Sequence, residues 1–402
     1  MNAGDRVADD KSSSVVSPAA VEGEKSRPYS EATTSKRETF HPVGAPRTFA
    51  SAPGVVESTF EMTRGPSPFD RIGLHRLTIA HPSNSGSALE RAQQTVPGRE
   101  SITESPAQQS PQMHRPQPSR RAGIVMLYLP GTNMNGVGAV DDPRYSLPLF
   151  MATHGVDFWA LDYRTHFIRP ATPASDLTEL KGWTNDLFES DILAAAEFIR
   201  HSTGHRKIFI AGFSRGATFA YLFASRHWHE VKGLVILDGF IPTDRAVAKP
   251  PPDRYADDVA GAHLTYDKRK ALMEAVIANP DGPAPLPKYK TARENLEAVV
   301  YGAGGVFGGH GGLANPGGGY SDAVVLASML VGYDRYWPTV QDYEDPFTAD
   351  DLARLAATKI PVIAFSSTNI GDQWPARVTK SASSTGSTDV TVKTLAGWVI
   401  ST

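Results

Sequence analysis

From Gly123 to Phe240 the chain alternates short apolar runs with longer amphipathic ones. This narrows the available folds more than any other feature. "GIVMLYLPG", "VDFWALDYR", "KIFIAG" and "KGLVILDGF" have the length and the β-branched or aromatic content of buried strands. "YSLPLFMATHG" has helical spacing and stops at Gly155. "WTNDLFESDILAAAEFIRHST" places Leu187, Ile192, Ala195, Ala196 and Ile199 on one helical face. Its Asp186 sits near the first turn, where the helix dipole favours an anion. Strands alternating with helices of this length imply an α/β fold, a mostly parallel sheet with helices on both faces.

The flanks read differently. Residues 1–45 are rich in Ser, Ala, Glu and Lys without periodicity, the texture of a disordered N-terminal tail. "VVESTFEMTR" and "IGLHRLTIAHP" read as two strands of a hairpin. Residues 84–121 carry Pro106, Pro111, Pro116 and Pro118 among Ser and Gln, and read as a disordered insertion. Its Arg115, Arg120 and Arg121 are read as solvated loop charge rather than a site for an acidic partner. After Thr243 the alternation stops. "AVAKPPPDRY" resembles a linker, and helical stretches follow around 268–279, 290–300 and 322–335. Strand texture returns at "KIPVIAFSS" and "DVTVKTLAGW", so 245–355 reads as a mostly helical insertion between sheet strands. The core is then 46–244 and 356–402.

Composition removes whole classes of function. The 402 residues contain no cysteine, which excludes disulfides, thiolate metal sites and a Cys nucleophile. A net charge of −3 gives no signature of nucleic-acid binding. No stretch approaches the roughly 18–20 apolar residues of a membrane span. The polar N-terminus lacks the apolar core of a secretory signal, so a cytoplasmic location is the expectation. The Gly-rich stretch 302–319 fits no nucleotide-binding loop, and no cofactor is implied.

The chemistry concentrates at Gly212-Phe213-Ser214-Arg215-Gly216, between an apolar strand and an Ala/Phe/Leu helix. That is the context of the G-x-S-x-G nucleophile elbow. A sharp strand-to-helix turn holds the Ser in a strained conformation, so residues two before and two after it must be small. Gly212 and Gly216 meet that need. The turn lifts the Ser oxygen above the strand ends and aims the Arg215 N–H, at a helix N-terminus, toward a developing oxyanion.

From about residue 55 onward, excluding 84–121, the chain resembles the α/β-hydrolase fold family. "LYLPGTNMNG" is similar to the family's loop after the third strand, with Pro130-Gly131 in place of His-Gly. The resemblance implies that the backbone N–H of Thr132, or of Asn133, is the second oxyanion donor. "LDYRTHF", from Asp162 to His166, resembles the D-x-R-G-H-G segment after the fourth strand, with Thr165 in place of Gly. The helical insertion 245–355 sits where the family places its cap. The implied activity is acyl transfer on a small-molecule ester or thioester.

A Ser nucleophile needs a His, and the His an orienting carboxylate. The family's acid follows its seventh strand, where "VIAFSSTNIGDQWP" offers Asp372. Some members place it after the sixth, where "LVILDGF" offers Asp238. Asp372 is preferred and Asp238 stays open. The His should follow the last strand, yet none of the twelve lies after Asp372. His166 resembles a structural position, His227 and His229 read as surface residues without a third metal ligand, and His310 reads as a loop residue. The expectation is a family hydrolase shortened or frame-altered before its His, impaired in turnover. The alternative is an inactive hydrolase-fold protein that binds a small molecule or a protein.

Overall fold

The structure, a computed structural model, describes residues 39–80, 123–242, 255–256, 264–301, 322–343, 347–368 and 373–395. The insertion 84–121, the Gly-rich stretch 302–319, His310 and Asp372 lie outside the described residues.

One nine-stranded sheet organises the chain, in the order β1-β2-β3-β5-β4-β6-β7-β10-β11. Its strands are β1 His41–Thr48, β2 Val55–Thr63, β3 Arg71–Ile79, β4 Ile124–Leu129, β5 Val156–Asp162, β6 Ile208–Phe213, β7 Val231–Leu237, β10 Val362–Ser367 and β11 Val390–Leu395. A separate ribbon pairs β8 Tyr255–Ala256 with β9 Trp337–Pro338. The first three strands form an antiparallel meander, and β3 meets β5 antiparallel. From β5 to β11 every neighbouring pair is parallel.

The helices are α1 Leu147–Thr153, α2 Asn185–Thr203, α3 Arg215–His227, α4 Tyr266–Ala278, α5 Ala292–Tyr301, α6 Ala323–Val331, α7 Val340–Tyr343, α8 Ala349–Ala357 and α9 Trp374–Ser383. Side-chain alternation divides the core in two. Val125, Leu127 and Leu129 of β4 and Trp159 and Leu161 of β5 face one cluster with α2, α3, α8 and α9. Met126, Tyr128, Phe158, Ala160, Ala211 and Phe213 face the other. That second cluster takes its remaining buried residues largely from α4, α5 and α6. These helices therefore share the apolar packing of a sheet face. α3 is the central helix, buried at every position from Arg215 to Ser225.

Local chemistry sets the boundaries. The Thr184 hydroxyl accepts from Leu187 N–H at the start of α2, and Gly204 ends that helix in the left-handed region at φ 69°. α8 opens with a reciprocal capping box between Thr348 and Asp351.

Three expectations change. The tail read as 1–45 overlaps β1, which begins at His41. All eight β1 residues are exposed, and Pro42, Gly44 and Pro46 interrupt it. It adds to the edge through backbone pairing, with an irregularity between Val43 and Arg47, so no apolar alternation announces it. α8, read as part of the 245–355 insertion, packs on α3 within the first cluster. α9 is an element that the sequence reading does not contain. It opens with Trp374-Pro375 directly after the segment read for its acid, and buries only Val378, Ser381 and Ala382.

Candidate active site

The sheet order reverses around β4, whose neighbours are β5 on one side and β6 on the other. In open α/β sheets, loops leaving the strand ends part at such a point and leave a crevice. The loop after β4 carries Thr132 and Asn133, and the turn after β6 carries Ser214.

Ser214 sits at φ 51°, ψ −116°, outside the regions open to ordinary L-residues. Its N–H donates to the Leu237 carbonyl at 2.9 Å, and its carbonyl accepts from Ala217 N–H at 3.1 Å. The flanking glycines are sterically required. A Cβ on Gly212 would run into the Gly216 backbone, and one on Gly216 into the Leu129 and Pro130 carbonyls. Gly239 is equally confined, with Ala217 and the Ser214 carbonyl against it.

Among the described residues, three non-glycine positions have positive φ: Asn133 at 61°, Ser214 at 51° and Asp238 at 44°. All three follow the C-terminal ends of neighbouring strands β4, β6 and β7. Asn and Asp tolerate this region better than other residues. Strain that clusters at one edge of a sheet points to a functional edge.

A cavity of about 370 Å³ opens beside Ser214. Thr132, Ser214 and Arg215 line it together with Thr218, Phe240 and Trp374. Thr132 is therefore on the cavity wall with the serine, whereas Asn133 is fully buried and not on that wall. The Asn133 carbonyl accepts from Asp334 N–H at 2.6 Å, and its amide donates to the Asp334 carbonyl at 3.1 Å. The Arg215 guanidinium donates to the Asn185 carboxamide oxygen at 2.8 Å and to the Gln341 carbonyl, and lies 5.3 Å from the Phe219 ring centre.

Asp238 is fully buried. Its carboxylate accepts from the Ser367 N–H and hydroxyl, each at 2.6 Å, and its own N–H donates to the Phe365 carbonyl. It ties the end of β7 to the end of β10. Asp372 lies outside the described residues. No described histidine lines the cavity.

The histidines instead mark a second polar cluster, under the loop that bears Asn133. His75 of β3 bridges Glu57 at 2.7 Å and Asp162 at 2.8 Å. Asp162 also accepts from Gly136 N–H at 2.7 Å. His166 pairs with Asp334 at 3.0 Å, and Thr165 donates to the other Asp334 oxygen. Burial works to lower both imidazole pKa values, but the facing carboxylates win. Asp162, with Glu57, lifts His75 to about 10, and Asp162, with Asp334, lifts His166 to about 9. Burial acts to raise Asp162, yet His75 and His166 hold its carboxyl well below the usual range. For Asp334 burial prevails over His166, and its pKa is raised. Sequence reading did not connect His75 with Asp334, because they stand near opposite ends of the chain and no motif spans them. Next to this cluster Arg164 is held by Asp191 at 2.6 Å and 2.9 Å and by Asp70, and Arg64 reaches Asp191 at 3.0 Å.

His227 pairs with Glu189 at 2.7 Å, and His229 is exposed. Among the described residues no group of His, Asp and Glu side chains could hold a metal ion, and no helix is long and apolar enough to cross a membrane.

No family model and no curated protein matches the sequence. Solved structures do. A candidate lipase from Sulfolobus solfataricus superposes with a TM-score of 0.66 at 24% identity, covering 90% of this chain and 92% of its own. An alpha/beta hydrolase fold protein from Nakamurella multipartita gives 0.38 at 16%, over 69% and 85%. A monoacylglycerol lipase from Paleococcus ferrophilus gives 0.35 at 14%, over 68% and 84%. The last two superpose too loosely to add weight. With its meander leading into a parallel sheet, its serine turn after β6 and the first of these likenesses, the chain has the α/β-hydrolase fold.

Proposed function

We propose that the chain is a serine hydrolase that cleaves an ester or thioester by acyl transfer through Ser214. The observation that carries this reading is the strained Ser214 backbone at a strand end, facing a cavity. The Sulfolobus solfataricus structure, described as a candidate lipase, agrees with ester chemistry.

In this mechanism the Ser214 oxygen bonds to the substrate carbonyl carbon as its proton passes to a base. The carbonyl oxygen becomes an oxyanion, held by the backbone N–H groups of Arg215 and Thr132. Collapse breaks the bond to the alcohol or thiol, which leaves with a proton. Water then cleaves the acyl-serine and releases the acid. Asn133, turned toward Asp334, supports the loop that presents Thr132. Asp372 is the proposed orienting acid, and Asp238 serves as a buried tie.

A second reading is favoured by one observation, that no described imidazole lines the cavity. It is a hydrolase-fold protein that binds its ligand without turnover. Loss of a serine or histidine from such a triad costs on the order of 10⁶ in turnover, while oxyanion stabilisation and binding still retain about 10³–10⁴ over water.

A fluorophosphonate probe tests the nucleophile. The chain should be labelled and Ser214→Ala should not; labelling that survives the substitution removes Ser214 from the mechanism. Ester turnover by this chain that vanishes in Ser214→Ala would defeat the second reading.

A further inference from the structure

We infer that the Ser214 cavity selects an ester or thioester bearing a second, anionic group, a carboxylate or a phosphate, held by Arg377 and Lys380. The inference rests on the acyl-transfer reading above for the ester, but the anion subsite stands on α9.

α9 presents two faces. Val378 and Ala382 point into the core. Trp374, Arg377, Lys380, Ser381 and Ser384 recur at helical spacing and line the cavity wall. Ser381 is committed, its hydroxyl accepting from Ile241 N–H at 2.9 Å. That bond anchors α9 against the loop leaving β7, so the two cations are held at a set position relative to Ser214.

The described part of the cavity wall is electrostatically one-sided. Arg377 and Lys380 line it, and no described carboxylate does. Neither forms an ion pair among the described residues. That contrasts with Arg64, Arg164 and Arg226, each of which reaches a carboxylate. Lys380 stands in the last turn of α9, where the helix dipole alone favours a cation. Arg377 stands mid-helix and has no such reason. Its guanidinium lies 5.2 Å from the Phe240 ring centre, a cation–π contact between two residues of the cavity wall, and a guanidinium is suited to a planar anion. Phe240, Ile241, Leu352 and Trp374 supply apolar wall for the hydrocarbon between anion and ester. A cavity near 370 Å³ suits a short chain rather than a long lipid.

The test separates binding from chemistry. Monoethyl glutarate, diethyl glutarate and 2-acetoxyethyl phosphate are titrated calorimetrically into the Ser214→Ala chain, which removes acyl transfer. At least one anionic ester should bind about tenfold tighter than the neutral diester, with a preference that shrinks as salt rises. Which anionic ester is preferred distinguishes carboxylate from phosphate. The preference should collapse toward one in Arg377→Glu/Lys380→Glu. Arg377→Gln/Lys380→Gln, milder at these exposed positions, should reduce it several-fold. Circular dichroism melting verifies that each variant folds. Equal affinity for neutral and anionic esters, or a preference untouched by both double variants, overturns the inference. Failure of fluorophosphonate to label Ser214 would instead sink the nucleophile reading and leave the titrations to decide the anion subsite.

Discussion

Two polar regions lie on either side of the loop that follows β4, and they are built from different side chains to different ends. On one side His75, His166, Asp162, Asp334 and Glu57 form imidazole–carboxylate pairs at hydrogen-bonding distance. On the other, Ser214 faces an open cavity flanked by cations. Judged by pairing alone, the first region resembles catalytic machinery. Yet its carboxylates are buried and its imidazoles carry raised pKa values, so at neutral pH both rings are protonated. A protonated imidazole cannot take the proton of a serine. The His–carboxylate pairs here hold β2, β3 and β5 to the loop at the strand ends, while the strained backbone and the cavity lie on the side proposed to react. Location and protonation state discriminate a site, not the presence of a pair.

The comparison is sharpest where a small change disables one region and spares the other. Gly216→Ala should have the largest effect. The new methyl meets the Leu129 and Pro130 backbone, which cannot move aside as a side chain can, so the cost exceeds about 3 kcal/mol. Fluorophosphonate labelling should disappear with a sharp drop in melting temperature; full labelling would show that the elbow geometry is wrong.

Asp191→Asn strikes the structural side. It leaves the buried Arg164 with only Asp70 and removes the carboxylate that Arg64 reaches. Breaking a buried pair from one side costs about 3–5 kcal/mol, so urea unfolding should shift accordingly. A loss below about 1 kcal/mol, the range of exposed pairs, would place these charges in water rather than in the core.

His75→Gln makes a smaller difference, visible as a change of slope. The pKa of His75 is about 10 in the folded chain, against 6.5 for an unperturbed imidazole, so folding tightens its hold on the proton. Its contribution is complete below about pH 6.5 and is lost as pH rises toward 10. His166 acts in the same direction up to about 9. Glu57, Asp162 and Asp334 face these rings, and Arg47 approaches Glu57 at 3.6 Å. The melting temperature should therefore fall between about pH 7 and 10, less steeply in His75→Gln. Parallel slopes would remove His75 from this role. Thr348→Ala, which opens the capping box of α8, should cost only about 1 kcal/mol and leave Ser214 labelling unchanged.

Much of this was legible in the chain. The parallel strands declared themselves because both faces of β4, β5 and β6 are buried, giving unbroken apolar runs such as Ile124–Leu129. Ser214 was legible because two glycines are sterically forced around it. β1 was not, since backbone pairing at an exposed edge demands nothing of its side chains. The cation wall was not either. Arg377 and Lys380 become a pair only once α9 is known to be a helix, and a segment opening on Trp-Pro gives a weak start signal. Asp238 shows the opposite limit: its place after β7 suggested an acid, and only the two bonds to Ser367 reveal a tie.

Those ties have a consequence for how such a protein diversifies. Four consecutive residues after β7 are pinned at successive points. Asp238 is fixed to Ser367, Gly239 lies under Ser214, the Phe240 carbonyl takes the Thr218 hydroxyl, and Ile241 is fixed to Ser381. The stretch acts as a clamp between the Ser214 turn and the helix and strand that carry Ser381 and Ser367. A change in chain length beyond Pro242 should therefore leave the Ser214 backbone where these four contacts hold it.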